Sequence, residues 1–198
     1  MESGLNDNTV LKLGIDHQGG IWACLNNGIS YIEYGSPFRF YNELNGLEGL
    51  SLKAIREKEG ALWVITSSGL YYSVFEEGQV EIQFKAVHKE QFWDLILTEN
   101  HVLAAANTGI YVVNKTSKDK ADLIANAKAK FFHQSTKDPN LIWVGYEDGL
   151  GKVIMENGSW KWIESIYKIE GGITEMQEMP DGTLYCSNNK KLFVIEFG

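Results

Sequence analysis

The chain has 198 residues, 44% hydrophobic, 12% aromatic and 22% charged, with 20 glycines and 3 prolines. That length and apolar content suit one domain with a sizeable core and exclude a disordered, collagen-like or coiled-coil chain. Eighteen basic against 26 acidic residues leave a net charge of −8, which repels phosphate backbones and argues against nucleic acid as a partner.

No apolar run approaches the roughly 20 residues of a membrane-spanning helix. Met1-Glu2-Ser3-Gly4 has neither the basic nor the apolar stretch of a signal peptide. From the N-terminus, short β-branched and aromatic runs alternate with Gly, Asn and Asp turns, as in an all-β chain. The first four runs are Thr9–Ile15, Ile21–Leu25, Gly28–Glu33 and Phe38–Tyr41. Asp16-His17-Gln18-Gly19 forms a turn and Asn26-Asn27-Gly28 a tight hairpin; Pro37 suits the start of an outer edge strand. The next four are Leu52–Glu57, Leu62–Thr66, Leu70–Val74 and Glu81–Phe84. Further on, Lys115, Lys118, Lys120, Lys128 and Lys130 form a basic stretch, interrupted by Asp119 and Asp122, in a long connection that reads as solvated loop. Cys24 and Cys186 lie in apolar runs and read as buried free thiols.

The runs belong to a repeat. Trp22, Trp63, Leu103, Trp143 and Tyr185 occupy one anchor position, at spacings of 41, 40, 40 and 42 residues. Six residues after the first four anchors stand Gly28, Gly69, Gly109 and Gly149, and Lys191 holds that place in the fifth copy. A four-stranded meander recurring about every 40 residues is a β-propeller blade. The anchor is expected to pack between adjacent blades. The repeats run approximately over 5–45, 46–86, 87–126, 127–167 and 168–198. The fold expected is all-β: a propeller of about five four-stranded blades, the last incomplete, within a larger seven-bladed propeller. A five-bladed ring with a weak seam is the alternative. Strand c of the last copy, Leu192–Phe197, is left as an open edge that invites self-association.

In full the repeat reads Asn8-Thr9-Val10, Asp16, Gly19-Gly20-Ile21-Trp22, Gly28-Ile29 and Tyr31-Ile32. It resembles the two-component regulator propeller repeat. Gly4-Leu5-Asn6-Asp7-Asn8-Thr9-Val10 and Asn27-Gly28-Ile29-Ser30-Tyr31-Ile32-Glu33, followed by Ser36-Pro37-Phe38, are similar to repeats of Bacteroidetes sensor proteins. The third copy departs by lacking the Trp, the fifth by carrying Lys191. The resemblance implies a periplasmic sensor region of a hybrid histidine kinase or membrane-linked transcription regulator, a saccharide ligand, and other domains of a parent protein as partners.

Catalytic constellations are poor. His17, His88, His101 and His133 are scattered, and no GxSxG, HExxH, P-loop or GxGxxG is present. Asp16, Glu57 and Asp181 recur at turn positions, and the cluster Glu175, Glu178, Asp181 reads as solvated edge. No catalytic residue, metal or cofactor is therefore assigned. The b–c turns offer the better candidates for binding: Asn26, Asn27, Ser67, Ser68, Asn107, Thr108, Glu147, Asp148, Asn188 and Asn189. These small polar or acidic groups suit a hydroxyl-rich ligand. Trp93 joins them as a surface for stacking on a sugar, with packing in the inner strand as its other role. Three functions stay open: a sensory ligand-binding propeller, an inter-domain or protein–protein scaffold, and a propeller lyase or hydrolase.

Overall fold

The computed structural model describes residues 5, 7, 9–18, 20–32, 40–58, 60–74 and 82–197. The chain divides into two compact units, Met1–Tyr41 and Asn42–Gly198. Among the described residues there is no α-helix, only strands and one 3-10 turn at Glu43–Asn45.

The first unit holds one antiparallel meander, β1 (Val10–Ile15), β2 (Ile21–Leu25) and β3 (Gly28–Ile32). Asp16 shapes the β1–β2 turn, its Oδ1 accepting the N–H groups of Gln18 at 2.9 Å and Gly20 at 2.8 Å. Of the outer strand expected at Phe38–Tyr41, residues 38 and 39 lie outside the described residues, as does Pro37; Phe40 and Tyr41 are not in a strand.

The second unit contains four more meanders. The first comprises β4 (Ser51–Arg56), β5 (Leu62–Thr66), β6 (Leu70–Val74) and β7 (Gln83–His88). Next come β8 (Phe92–Leu97), β9 (His101–Ala106), β10 (Ile110–Asn114) and β11 (Ala121–Ala125). The third holds β12 (Ala129–Gln134), β13 (Leu141–Tyr146), β14 (Gly149–Glu156) and β15 (Ser159–Lys168). The last has three strands, β16 (Glu175–Glu178), β17 (Leu184–Ser187) and β18 (Leu192–Ile195).

Two expectations shift. The outer strand expected at Glu81–Phe84 runs instead over Gln83–His88, because its ladder with β6 continues past Phe84 to His88. The basic stretch expected to be a loop contains β11, an outer strand whose charges face solvent and mask its pattern. Its lysines are engaged: Lys120 pairs with Asp122, and Lys118 lies 5.4 Å from the centre of the Tyr72 ring.

Two irregularities recur. Each of β1, β4, β8 and β12 carries a one-residue bulge near its start, placing Leu11, Leu52, Trp93 and Lys130 in one structural position. The outer pair bulges as well: Val87 is skipped in β7 and Ile124 in β11.

Within the second unit, apolar layers fill the spaces between successive sheets. Trp63, Ile65 and Leu70 pack on Phe92, Leu95, Ala104 and Ala106. Leu103, Ala105 and Ile110 pack on Phe132, Ile142 and Val144, and Trp143 and Leu150 on Met176, Leu184 and Cys186. Alternate residues of β9 serve two layers, so its five residues after His101 are all buried, and three of them are alanines that let the sheets approach.

The anchors lie on equivalent second strands, β2, β5, β9, β13 and β17. Trp63 is 0% exposed and Trp143 6%, as expected of a residue between sheets. Trp22 differs at 43%; its ring lies beside Tyr31 of its own sheet, with centroids 4.8 Å apart.

Candidate functional site

The b–c turn residues are held by contacts within their own sheets. Each turn is tied to the segment leading into its own sheet. The backbone N–H groups of Asn26, Ser67, Asn107 and Glu147 donate to the carbonyls of Thr9, Leu50, Gln91 and Lys128. Side chains reinforce this clamp. Ser67 Oγ accepts the Leu50 N–H at 3.0 Å, while the Ser68 N–H donates to Thr66 Oγ1. Thr108 donates its N–H and hydroxyl to the two carboxylate oxygens of Glu90, at 2.8 and 2.7 Å. Asn188 Oδ1 accepts from the N–H groups of Lys190 and Lys191, and its amide donates to the carbonyls of Glu170 and Gly172. Asn27 and Asn189 are exposed.

Trp93 is the bulged residue of β8, 40% exposed, and its Nε1–H donates to Asn107 Oδ1 at 2.7 Å. Asn107 in turn donates to Gln91 Oε1. Trp93 and Asn107 thus share one local network.

Two carboxylates hold neighbouring sheets together. Asp94 is 4% exposed and accepts from Lys53 Nζ of β4 at 2.6 Å, from its neighbour Leu95 N–H at 2.8 Å, and from Phe132 N–H of β12 at 2.7 Å. Glu178, 5% exposed on β16, accepts from the Ser135 hydroxyl, the Thr136 N–H and hydroxyl, and Trp143 Nε1. Burial pushes the Glu178 carboxyl up, but the hydrogen bonds from Thr136, Ser135 and Trp143 outweigh it and hold it below the ordinary value. Glu175 and Asp181 are exposed, and no group of three metal-ligating side chains occurs among the described residues. Cys24 is exposed, unlike the expected buried thiol, whereas Cys186 is buried and its thiol is pushed up to about 11.

One turn opens into a cavity. Glu147 and Asp148, between β13 and β14, line a space of about 550 Å³ together with Asn126, Lys128, Tyr146, Trp162 and Glu164. That volume suits a small ligand, whose sites span roughly 300–1,000 Å³. Tyr146 and Trp162 meet edge to face, with ring centroids 5.4 Å apart. Lys128 Nζ lies 2.8 Å from Glu147 Oε2, and this contact lowers the Glu147 carboxyl and raises the Lys128 ammonium. Asn126, Asp148 and Glu164 have no side-chain hydrogen bond or ion pair among the described residues, so they are available to a ligand.

The cavity arises where the fourth copy departs from the second and third. Two residues after the repeat glycine, those copies place Tyr71 and Tyr111, both buried. The fourth has Gly151, where a Cβ would collide with the Trp162 ring. The outer-strand irregularity also widens there: Leu150 pairs with Tyr167 while Lys152 pairs with Ile163, so residues 164–166 have no ladder partner. Two other cavities, of about 500 and 480 Å³, mix engaged groups with unengaged ones, among them His101 Nδ1 and Trp160 Nε1 in the second, which are buried without a hydrogen-bond partner among the described residues. Glu178 and Ser135 in the first are bonded to each other, and Gln134 in the second donates to the carbonyls of Pro139 and Leu141.

Of the candidates read from sequence, the cavity brings together Glu147 and Asp148. It adds Asn126, Lys128, Trp162 and Glu164. Gly151 in the column of Tyr71 and Tyr111 was the sequence signal that marks this copy as different.

Bladed meanders packed face to face define a β-propeller fold, and comparison with solved structures agrees. The extracellular domain assigned to a hybrid two-component system of B. thetaiotaomicron matches with a TM-score of 0.62 and 14% identity, over 98% of this chain and 32% of that one. A computationally designed protein, Ika4, matches at 0.57 and 12% identity, over 77% of this chain and 94% of that one. PorZ, a surface component of the type-IX secretion system of Porphyromonas gingivalis, matches at 0.51 and 14%, over 94% of this chain and 29% of that one. The chain thus spans about a third of the length of the two natural structures. At these identities the likeness is one of fold. No family model matches the sequence, and neither does any curated protein.

Proposed function

We propose that this chain is a non-catalytic, ligand-binding propeller segment of a bacterial two-component-type signalling protein, facing the periplasm, and that its ligand is a saccharide. The fold likeness to the extracellular domain of a two-component system supports the signalling setting. The observation that carries the ligand reading is the cavity of the fourth sheet: aromatic Trp162 and Tyr146 beside the free polar groups of Asn126, Asp148 and Glu164. A sugar needs both an apolar surface for its C–H faces and acceptors for its hydroxyls. Other blades and domains of a parent protein complete the assembly and receive the signal.

A glycan array followed by calorimetry tests this. Binding of an oligosaccharide to the chain is expected, weakened at least about tenfold by Trp162→Ala, as loss of a buried aromatic contact implies. Equal binding by the variant, or no saccharide bound, would overturn it. A protein scaffold is the second reading, favoured by exposed Leu11, Leu13 and Ile15 on β1.

A further inference from the structure

We propose that the cavity of the fourth sheet selects saccharides that carry a protonated amine, an inference that rests on the saccharide reading of the same cavity. Its charged lining consists of three carboxylates, Glu147, Asp148 and Glu164, against one ammonium, Lys128. That ammonium is engaged by Glu147 at 2.8 Å, and the charge of Lys130 acts on Glu147 as well. Asp148 and Glu164 have no side-chain hydrogen bond or ion pair among the described residues, although the Asp148 charge also acts on Lys128.

Each class of saccharide meets this lining differently. A uronate would set its own carboxylate against Asp148 and Glu164, a like-charge contact beside a Lys128 ammonium that Glu147 already holds. A neutral sugar offers hydroxyl donors, which satisfy the carboxylates by ordinary hydrogen bonds. An ammonium makes charge-assisted hydrogen bonds to the same oxygens. It also gains from the aromatic pair, because a cation near Trp or Tyr is drawn to the electron-rich ring face. Trp162 and Tyr146, 5.4 Å apart at their centroids, stand in the same lining as the free carboxylates. Aromatic rings and acids around one space are the chemistry of an organic cation, and the 550 Å³ volume leaves room for the sugar that bears it.

The test is calorimetry on the full chain with three trisaccharides: glucosamine, its fully N-acetylated counterpart and galacturonic acid. The pH is kept where the free amine is protonated. The amine is expected to bind at least about tenfold more tightly than its acetylated twin. The advantage should shrink as salt is raised, because the attraction is ionic. The uronate should bind most weakly. In the double variant Asp148→Asn, Glu164→Gln, the ratio of amine to acetylated affinity should fall to about one. An unchanged circular dichroism melting curve would show that this variant folds. Acetylated and free-amine sugars binding equally, or uronate binding more tightly, would overturn the inference and leave the saccharide reading standing. Absence of binding to all three, and to any neutral glycan of the array, would overturn both.

Discussion

Trp22, Trp63 and Trp143 share one place in the repeat yet differ in what surrounds them. Trp63 is fully enclosed by the second and third copies, and Trp22 keeps 43% of its surface exposed. Burial therefore sets their worth. Trp63→Ala is expected to destabilise by about 3–5 kcal/mol, through lost apolar contact and the cavity left behind. Trp22→Ala should cost about 1 kcal/mol or less. Guanidinium unfolding followed by circular dichroism measures both, and equal losses would contradict the packing argument. This anchor position was legible from spacing alone, because a tryptophan and a glycine six residues on recur in phase. The cavity was legible only in part. Glu147 and Asp148 declare themselves as turn residues, but Trp162 and Glu164 come from an outer strand whose irregular pairing leaves no periodic trace.

At the scale of strands, the acids matter more for joining sheets than for chemistry. In the first two copies the anchor indole donates to an acid six residues earlier: Trp22 to Asp16 at 3.2 Å, and Trp63 to Glu57. In the fourth copy that place is Lys137, and Glu178 of the following sheet supplies the carboxylate at 3.4 Å. Local spacing could not reveal this exchange, since the partner lies 35 residues away. It did reveal the turn acid Asp16, whose contacts are local. The clamp predicts a pH dependence. Glu178 is held below the ordinary 4.5, so its stabilisation is present above that pH and is lost as pH falls through the lowered value. Burial lowers His101 and His133 from 6.5; Lys115 adds to this for His101, and Glu178 opposes it for His133. The folded state resists their protonation, so stability should begin to fall as pH drops below about 6.5. Urea unfolding across pH should show both losses. Glu178→Gln should flatten the lower one and deepen the upper one, because the carboxylate charge that supports protonated His133 is gone. A variant with the wild-type acid profile would show that the carboxylate is not what holds these sheets.

Over the whole molecule, the layers of the second unit follow one rule: the anchor face of each sheet is covered by the sheet that follows it in the chain. The fifth sheet presents the same face uncovered. Gln177, Tyr185 and Val194 stand opposite one another in a cross-strand row. Tyr185 is 41% exposed, Val194 53% and neighbouring Leu192 67%. Among the described residues β18 pairs only with β17, so its other edge offers free backbone donors and acceptors. An apolar face beside an open edge is what another β-sheet covers, both by burying side chains and by extending the ladder. A second copy of the chain can supply such a sheet, and we expect self-association at raised concentration. Light scattering over a dilution series should show the mass rising above that of one chain. Leu192→Lys with Val194→Lys places two charges on the exposed face of the edge strand and should restore the monomer without loss of the melting transition. A wild-type chain that stays monomeric at every concentration would show that this face is stable in water, and would remove the case for its being a blade-on-blade surface.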